Sequence, residues 1–154
     1  MYEDDEDRVD AADQLAELSP RAAAEALSAI ACDRGVDDEL RLSAAERLAA
    51  VDPGAAAPAC LAIACDRTVG DEVRLSAAEQ LAAVDPGAAA PACLAIAGDG
   101  GVGDEVRLSA AEQVAAVDPG AAAPACLAIA RDGTVGDEVR RSAAEQLAAL
   151  GPGA

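Results

Sequence analysis

The chain has 154 residues, of which 29 are acidic and 11 basic, so its formal net charge is −18. This charge argues against binding to nucleic-acid phosphates. The sequence contains no histidine, tryptophan or phenylalanine, which removes the usual general base and metal ligand and the side chains that stack on bases. We therefore expect no enzymatic activity, no cofactor, no metal and no nucleic-acid partner, in a single domain over residues 1–154.

The sequence also predicts the cellular location. The N-terminus is acidic, unlike the basic start of a secretory signal, and no run of 18 apolar residues is long enough to span a membrane. The five cysteines are odd in number and none forms a C-x-x-C pair, so a disulfide framework is not expected. We expect a cytoplasmic protein with no membrane partner.

Internal repetition organises the chain with a period of 33 residues. Segment 71–103 returns at 104–136 with three changes, at Leu81/Val114, Gly98/Arg131 and Gly101/Thr134. The same step places earlier units at 38–70 and 5–37 and leaves a half-repeat at 137–154. Periods of this length are typical of solenoids, and the unit lacks strand alternation. The predicted fold is all-α, a right-handed α-α superhelix of about four and a half two-helix repeats.

The first helix of the unit is predicted from about Asp71 to Val84. At 100° per residue, one side gathers apolar residues: Val73, Ala77, Ala78, Leu81 and Val84. The opposite side gathers polar ones: Glu72, Ser76, Glu79 and Gln80. The pattern predicts an amphipathic helix with one buried face.

The second helix is predicted to begin after Asp85, which can act as N-cap before Pro86, and to end near Ala97. A further proline, at position 58, 91 or 124, lies five residues after the first one. Because an interior proline clashes with the carbonyl four residues back, we expect an irregular opening turn and a regular helix from that second proline. The segment carries no charge, so it should be buried.

The motifs D-E-V-R-L-S-A-A-E-Q-L-A-A-V and D-P-G-A-A-A-P-A-C-L-A-I-A resemble the two helices of the short, bacterial type of HEAT repeat. A tetratricopeptide unit ranks second because its aromatic pattern is missing. The resemblance implies that the Val-Arg helix lines the concave face. It also implies an inter-repeat ladder between a helix arginine (Arg41, Arg74, Arg107 or Arg140) and a loop aspartate (Asp33, Asp66, Asp99 or Asp132). Rival aspartates start the first helices: Asp38, Asp71, Asp104 and Asp137.

A candidate partner surface lies on the polar side of the first helices. Its members are Glu39, Glu46, Glu72, Glu79, Gln80, Glu105, Glu112, Gln113, Glu138 and Glu145. One interpretation is a groove for a basic protein or peptide. The other is a solvated face that keeps an alanine-rich protein in solution.

Three cysteines, Cys60, Cys93 and Cys126, recur at one position of the second helix. Such a set could bind a soft metal or carry redox chemistry. Without histidine, and with stacked helices too far apart for a disulfide, we expect them to be core residues.

The function predicted from these patterns is a non-enzymatic protein-binding or scaffold module, either natural, part of a larger regulatory protein, or a consensus-like design. The alternative is a structural array that assembles through its own ends. A weak homodimer through the half-repeat 137–154 is expected, because solenoid ends need polar caps and this half-repeat stops after one helix.

Overall fold

The computed structural model describes residues 2–151, and these form nine helices and no strand. The helices are α1 (Tyr2–Leu18), α2 (Pro20–Cys32), α3 (Asp38–Val51), α4 (Pro53–Ala64), α5 (Asp71–Val84), α6 (Pro86–Ala97), α7 (Asp104–Val117), α8 (Pro119–Arg131) and α9 (Asp137–Leu150). We call the odd-numbered ones first helices and the even-numbered ones Pro-led helices. The all-α fold built from two-helix repeats is confirmed.

The helices group into two compact units, Met1–Asp85 and Pro86–Ala154. In the first unit each helix from α1 to α5 packs on the next, α1 and α5 also pack on α3, and α2 packs on α4. In the second unit α6 to α9 pack in the same order, with further packing of α6 on α8 and α7 on α9. Each unit is therefore a solenoid segment with a layer of first helices and a layer of Pro-led helices. The single domain and the right-handed superhelix stay predictions.

The first helices bury the apolar face that the sequence predicted, with one difference. In α5 the side chains of Ala77, Ala78 and Leu81 are buried, as expected, whereas Val73 and Val84 are only half-buried. The fourth buried residue is Arg74. An arginine is thus the first buried residue of the core-facing stripe, and its charge needs bonded partners there.

The expected start of the Pro-led helices at the second proline is wrong. Helix α4 begins at Pro53 and contains Pro58, and its N-cap Asp52 accepts a hydrogen bond from the backbone N–H of Ala55 at 3.2 Å. Pro58 stands four residues after Gly54, and both are exposed. Because the glycine carries no side chain and is exposed, the helix can tilt its carbonyl away from the proline ring. The interior proline is therefore tolerated.

The core consists largely of small residues, which surround a few large apolar side chains. In the first unit the largest fully buried residues include Leu27, Leu48 and Ile63, surrounded by buried alanines. Cys60, Cys93 and Cys126 are also buried, which confirms their predicted place in the core. Burying a leucine or isoleucine contributes roughly 1.5 to 3 kcal/mol, and the alanines allow the helices to approach closely.

Candidate functional site

A buried arginine connects successive repeats of the first unit. Arg41 on α3 donates from Nε to the carbonyl oxygen of Ala31, near the end of α2, at 3.0 Å. It also donates from Nη1 to Oδ2 of Asp66, in the loop after α4, at 3.3 Å. One side chain therefore ties the preceding Pro-led helix to the following loop.

The carboxylate of Asp66 is held by further contacts. Thr68 donates to Oδ1 from its hydroxyl at 2.6 Å and from its backbone N–H at 3.0 Å. A second arginine, Arg34, lies with Nε 3.3 Å from Oδ2. The two bonds from Thr68, with smaller contributions from Arg41 and Arg34, lower the pKa of Asp66 from 3.8 to about 2. This aspartate is charged at any physiological pH.

The same arrangement recurs in the second unit. Arg107 donates from Nε to the carbonyl of Ala97 at 3.0 Å and from Nη1 to Oδ2 of Asp132 at 3.1 Å. Bonds from Thr134 are the main reason that the pKa of Asp132 also falls to about 2. The arginine therefore has a fixed pair of acceptors, a carbonyl ten residues before it and a carboxylate 25 residues after it.

The bond between repeats is made to the carbonyl. Arg41 and Asp66 both belong to the repeat 38–70, so their contact lies within one repeat, while the bond to Ala31 reaches the preceding repeat. Arg74 and Arg140 make the same carbonyl bond, at 3.0 and 3.2 Å. Asp99 is half-buried in the loop after α6. The resemblance predicted the loop carboxylate but not this carbonyl acceptor.

The rival aspartates have a different partner. Oδ2 of Asp38 accepts a hydrogen bond from the backbone N–H of Gly70 at 3.0 Å, and Oδ2 of Asp104 accepts one from Gly136 at 2.9 Å. Each glycine is the N-cap of the next first helix and offers no capping side chain of its own. These aspartates therefore join consecutive first helices through the backbone.

Four glutamates of the candidate partner surface are exposed and make no bond to a neighbouring helix. Glu39 and Glu72 are exposed on α3 and α5 of the first unit, and Glu105 and Glu138 on α7 and α9 of the second. Among residues 2–151 no hydrogen bond or ion pair involves the carboxylates of these four. We call them the open glutamates, together with Glu6 of α1, which stands one period before Glu39. Glu6 was not among the residues predicted for this surface, although the same step of 33 residues leads to it from Glu39.

In the first unit two of the open glutamates, Glu6 and Glu39, line an acidic groove. A groove of about 620 Å³ is lined by Glu6, Asp37, Glu39, Leu40 and Ser43. Glu6 and Glu39 are exposed, whereas Leu40 and Ser43 are half-buried. The groove thus offers carboxylates above a partly apolar base.

Other residues of the predicted surface take part in contacts between first helices. Glu46 accepts a hydrogen bond from Nε2 of Gln80 at 3.4 Å. In the second unit Glu112 accepts one from Gln146, also at 3.4 Å. Glu79, Gln113 and Glu145 occupy the same repeat positions, and the first two are exposed and half-buried respectively. Glu46 and Glu112 therefore join neighbouring first helices as well as facing water.

At the start of the chain an arginine replaces the glutamine of this contact. Arg47 stands one period before Gln80, and its Nη1 lies 2.8 Å from Asp13 and 3.6 Å from Asp10, both on α1. Arg47 therefore offsets part of the negative charge of α1.

A larger groove, of about 770 Å³, lies among the Pro-led helices of the first unit. Its lining includes Pro20, Ala24, Ala29, Cys32 and the ion pair of Arg21 with Glu25, whose atoms are 3.4 Å apart. Both charged side chains are strongly exposed. This groove was not predicted from the sequence, because residues of two repeats line it.

The cysteines do not form a reactive group. Burial is the main cause that raises the pKa of Cys60 to about 11, and it also raises the pKa of Cys126. Cys32 and Cys65 are exposed. No group of three potential ligands within the described part of the chain is placed to hold a metal ion.

No helix within residues 2–151 has the length and apolar character needed to cross a membrane.

Comparisons with known proteins found no relative of this chain. No family model, curated protein or solved structure matches the chain.

Proposed function

We propose that this chain is a non-enzymatic, HEAT-like binding scaffold whose open glutamates bind a basic segment of another protein. The observation that carries the proposal is the contrast between two sets of acidic residues. Glu46 and Glu112 bond to the neighbouring first helix, whereas the open glutamates of the same helices are exposed and unbonded. Carboxylates that do not hold the fold together remain available to a partner.

The repeat spacing sets the form of the partner. Glu6, Glu39 and Glu72 stand at equivalent positions on the stacked helices α1, α3 and α5, and packed helices lie about 10 Å apart. An extended chain advances about 3.3 Å per residue. A basic residue at every third position of an extended segment therefore matches one carboxylate per repeat.

Charge also favours capture of such a segment. The net charge of −18 attracts a cationic partner from a distance and raises its association rate, and salt weakens this effect. Exposed pairs contribute little individually, about 0 to 1 kcal/mol each. The proposed complex therefore depends on several pairs and is sensitive to ionic strength.

The test uses two variants that lose equal charge. Glu39→Gln/Glu72→Gln removes two open glutamates, and the control Glu17→Gln/Glu25→Gln removes two exposed acids of α1 and α2 outside this set. The probe is a 15-residue extended peptide with lysine at every third position. We expect the first variant to weaken binding about tenfold and the control to weaken it less than twofold. Equal losses would show a response to net charge alone and would refute the proposed surface.

The alternative function, self-assembly through the ends, is favoured by a different observation. Leu18 is 85% exposed at the end of α1, and Leu15 is also exposed. Apolar side chains at a solenoid end are typical of a docking surface. Sedimentation over a hundredfold concentration range tests this array and the predicted weak homodimer through 137–154. A strict monomer would refute both.

A further inference from the structure

Two consecutive Pro-led helices of the first unit, α2 and α4, border the groove of about 770 Å³. Most of its lining comes from α2, and Val51, Asp52 and Ala55 at the junction of α3 and α4 complete it. The groove lies between the repeats 5–37 and 38–70, so its presence does not depend on where the chain begins or ends. Its volume is in the range of pockets that hold small organic molecules, about 300 to 1,000 Å³.

Helix α2 carries side chains in this groove that the other Pro-led helices do not have. Helices α4, α6 and α8 share the twelve-residue sequence P-G-A-A-A-P-A-C-L-A-I-A, and α2 departs from it at four positions. One departure, Leu27, is fully buried in the core. The other three line the groove and put a polar residue where a glycine, a proline and a leucine stand elsewhere: Arg21, Glu25 and Ser28. The first repeat is therefore specialised on the side that faces α4.

Ser28 makes room in the groove and adds a hydroxyl group. A leucine stands at the corresponding position of each other Pro-led helix, as Leu61, Leu94 and Leu127. The serine side chain is shorter, and Ser28 is half-buried. Its hydroxyl makes no hydrogen bond within residues 2–151. A half-buried hydroxyl without a protein partner is available to a ligand in the groove.

The charges around the groove leave one carboxylate unbalanced. The side chains of Arg21 and Glu25 are 3.4 Å apart and offset each other. Oδ1 of Asp52 accepts the hydrogen bond from the backbone N–H of Ala55. Its Oδ2 makes no bond to any other group in the described part of the chain. The rest of the lining is largely apolar and comes from Pro20, Ala24, Ala29, Val51 and Ala55.

We propose that this groove binds a small organic cation, a primary ammonium group on a compact apolar body. The ammonium group donates to Oδ2 of Asp52 and to the hydroxyl oxygen of Ser28, since an ammonium group has three donors. The apolar body packs on the alanines and Val51. An anion is disfavoured, because Arg21 is already paired and Asp52 repels negative charge.

The two exposed cysteines provide a built-in measure of occupancy. Cys32 is exposed and lines the groove, whereas its counterpart on α4, Cys65, is exposed and is not part of the lining. A molecule in the groove therefore slows the reaction of Cys32 with a thiol reagent. The reaction of Cys65 stays unchanged and serves as the internal control.

The probe is 2-phenylethylamine, compared with its neutral and anionic analogues 2-phenylethanol and phenylacetate. Binding to the full chain is followed by backbone ¹H–¹⁵N NMR and by the rate of thiol labelling. We expect saturable binding of the amine with a dissociation constant of about 1 mM, as is usual for a ligand of this size. Cys32 alone should become protected. Both analogues should bind at least about fivefold more weakly, because they lack the charge that pairs with Asp52.

Two variants test the groove itself. Ser28→Leu restores the residue of the other Pro-led helices, so it keeps the fold, and by filling the groove it should weaken binding at least about tenfold. Asp52→Asn should weaken binding roughly fivefold, because asparagine caps a helix as well as aspartate does but carries no charge. The matched control Asp118→Asn removes the same charge from the N-cap of α8 and should leave binding unchanged.

This site is separate from the open glutamates, so the two proposals can fail independently. Glu39→Gln/Glu72→Gln should therefore leave binding of the amine unchanged. A response of the amine to this variant equal to its response to Asp52→Asn would indicate net charge alone and would refute the groove.

Four further results would overturn the proposal. The first is no saturation at about 20 mM amine. The second is binding of phenylacetate or 2-phenylethanol as tight as that of the amine, which would refute the role of charge. The third is unchanged binding in Ser28→Leu or equal protection of Cys65, which would place the amine elsewhere. The fourth is protection of Cys32 by the extended lysine peptide but not by the amine, which would assign the groove to a protein partner.

Discussion

Two arginines contact the same carboxylate oxygen at the same distance and differ in burial. Nη1 of Arg41 and Nε of Arg34 both lie 3.3 Å from Oδ2 of Asp66. The Arg41 side chain is 3% exposed and that of Arg34 is 76% exposed. We predict that Arg41→Ala destabilises the protein strongly and that Arg34→Ala does not.

The magnitudes follow from what each change leaves behind. Arg41→Ala removes one of the two cations that pair with the buried carboxylate of Asp66. It also removes the hydrogen-bond donor to the carbonyl of Ala31. Breaking a buried pair costs about 3 to 5 kcal/mol, and an unsatisfied acceptor about 1 to 3. Thr68 still donates two bonds to Asp66, so the lower end of each range applies, about 4 kcal/mol in total. Arg34→Ala removes an exposed pair, worth about 0 to 1 kcal/mol.

Urea denaturation of the two variants, each alone and combined with Asp66→Asn, measures both coupling energies. We expect a coupling of about 2 kcal/mol for Arg41 with Asp66 and below about 1 kcal/mol for Arg34 with Asp66. If Arg34→Ala lowers the free energy of unfolding as much as Arg41→Ala, burial does not determine the strength of these contacts. The buried arginine would then not be the residue that holds the repeats together.

Three further predictions concern the core, acid stability and the thiols. Leu48→Ala should destabilise by about 2 to 5 kcal/mol in thermal unfolding, because Leu48 is fully buried among alanines that cannot rearrange to fill the cavity; exposed Glu39→Ala should change stability by less than about 0.5 kcal/mol, and equal effects would contradict the face assignment. The pKa values of Asp66 and Asp132 are lowered from 3.8 to about 2. The contribution of these two charged carboxylates to the free energy of unfolding is therefore complete above about pH 4, and it is lost as the pH falls from about 4 to 2. Acid titration of Thr68→Val/Thr134→Val should show a smaller loss in that window, and an unchanged loss would argue against the threonine bonds as its cause. A thiol reagent should label Cys32 and Cys65 rapidly and the buried Cys60, Cys93 and Cys126 only after unfolding; rapid labelling of all five would contradict the packing of the Pro-led helices.

The period and the helix types could be read from the sequence because they depend on local patterns. The boundaries of α5 match the predicted Asp71–Val84, and Ala77, Ala78 and Leu81 are buried as expected. Strict repetition makes every boundary visible several times. Amphipathic spacing then identifies the buried side of each first helix.

The sequence did not predict features that depend on three-dimensional partners. The start of α4 at Pro53 was missed because the clash rule for Pro58 ignores how an exposed glycine carbonyl can tilt. The place of Arg74 in the core was missed because its acceptor, the carbonyl of Ala64, is a backbone atom without a sequence signal. The division of the acidic residues into bonded and open sets likewise depends on contacts such as that of Gln80 with Glu46.

The central claim is that the open glutamates form the binding surface while the bonded acids hold the helices together. The most direct measurement is a backbone ¹H–¹⁵N NMR titration of the full chain with the extended lysine peptide. We predict that the largest shift changes lie in the first two turns of α3 and α5, around Glu39 and Glu72, and that Glu39→Gln/Glu72→Gln reduces them strongly at the same peptide concentration. Changes confined to the Pro-led helices, or spread evenly over all acidic residues, would contradict the claim.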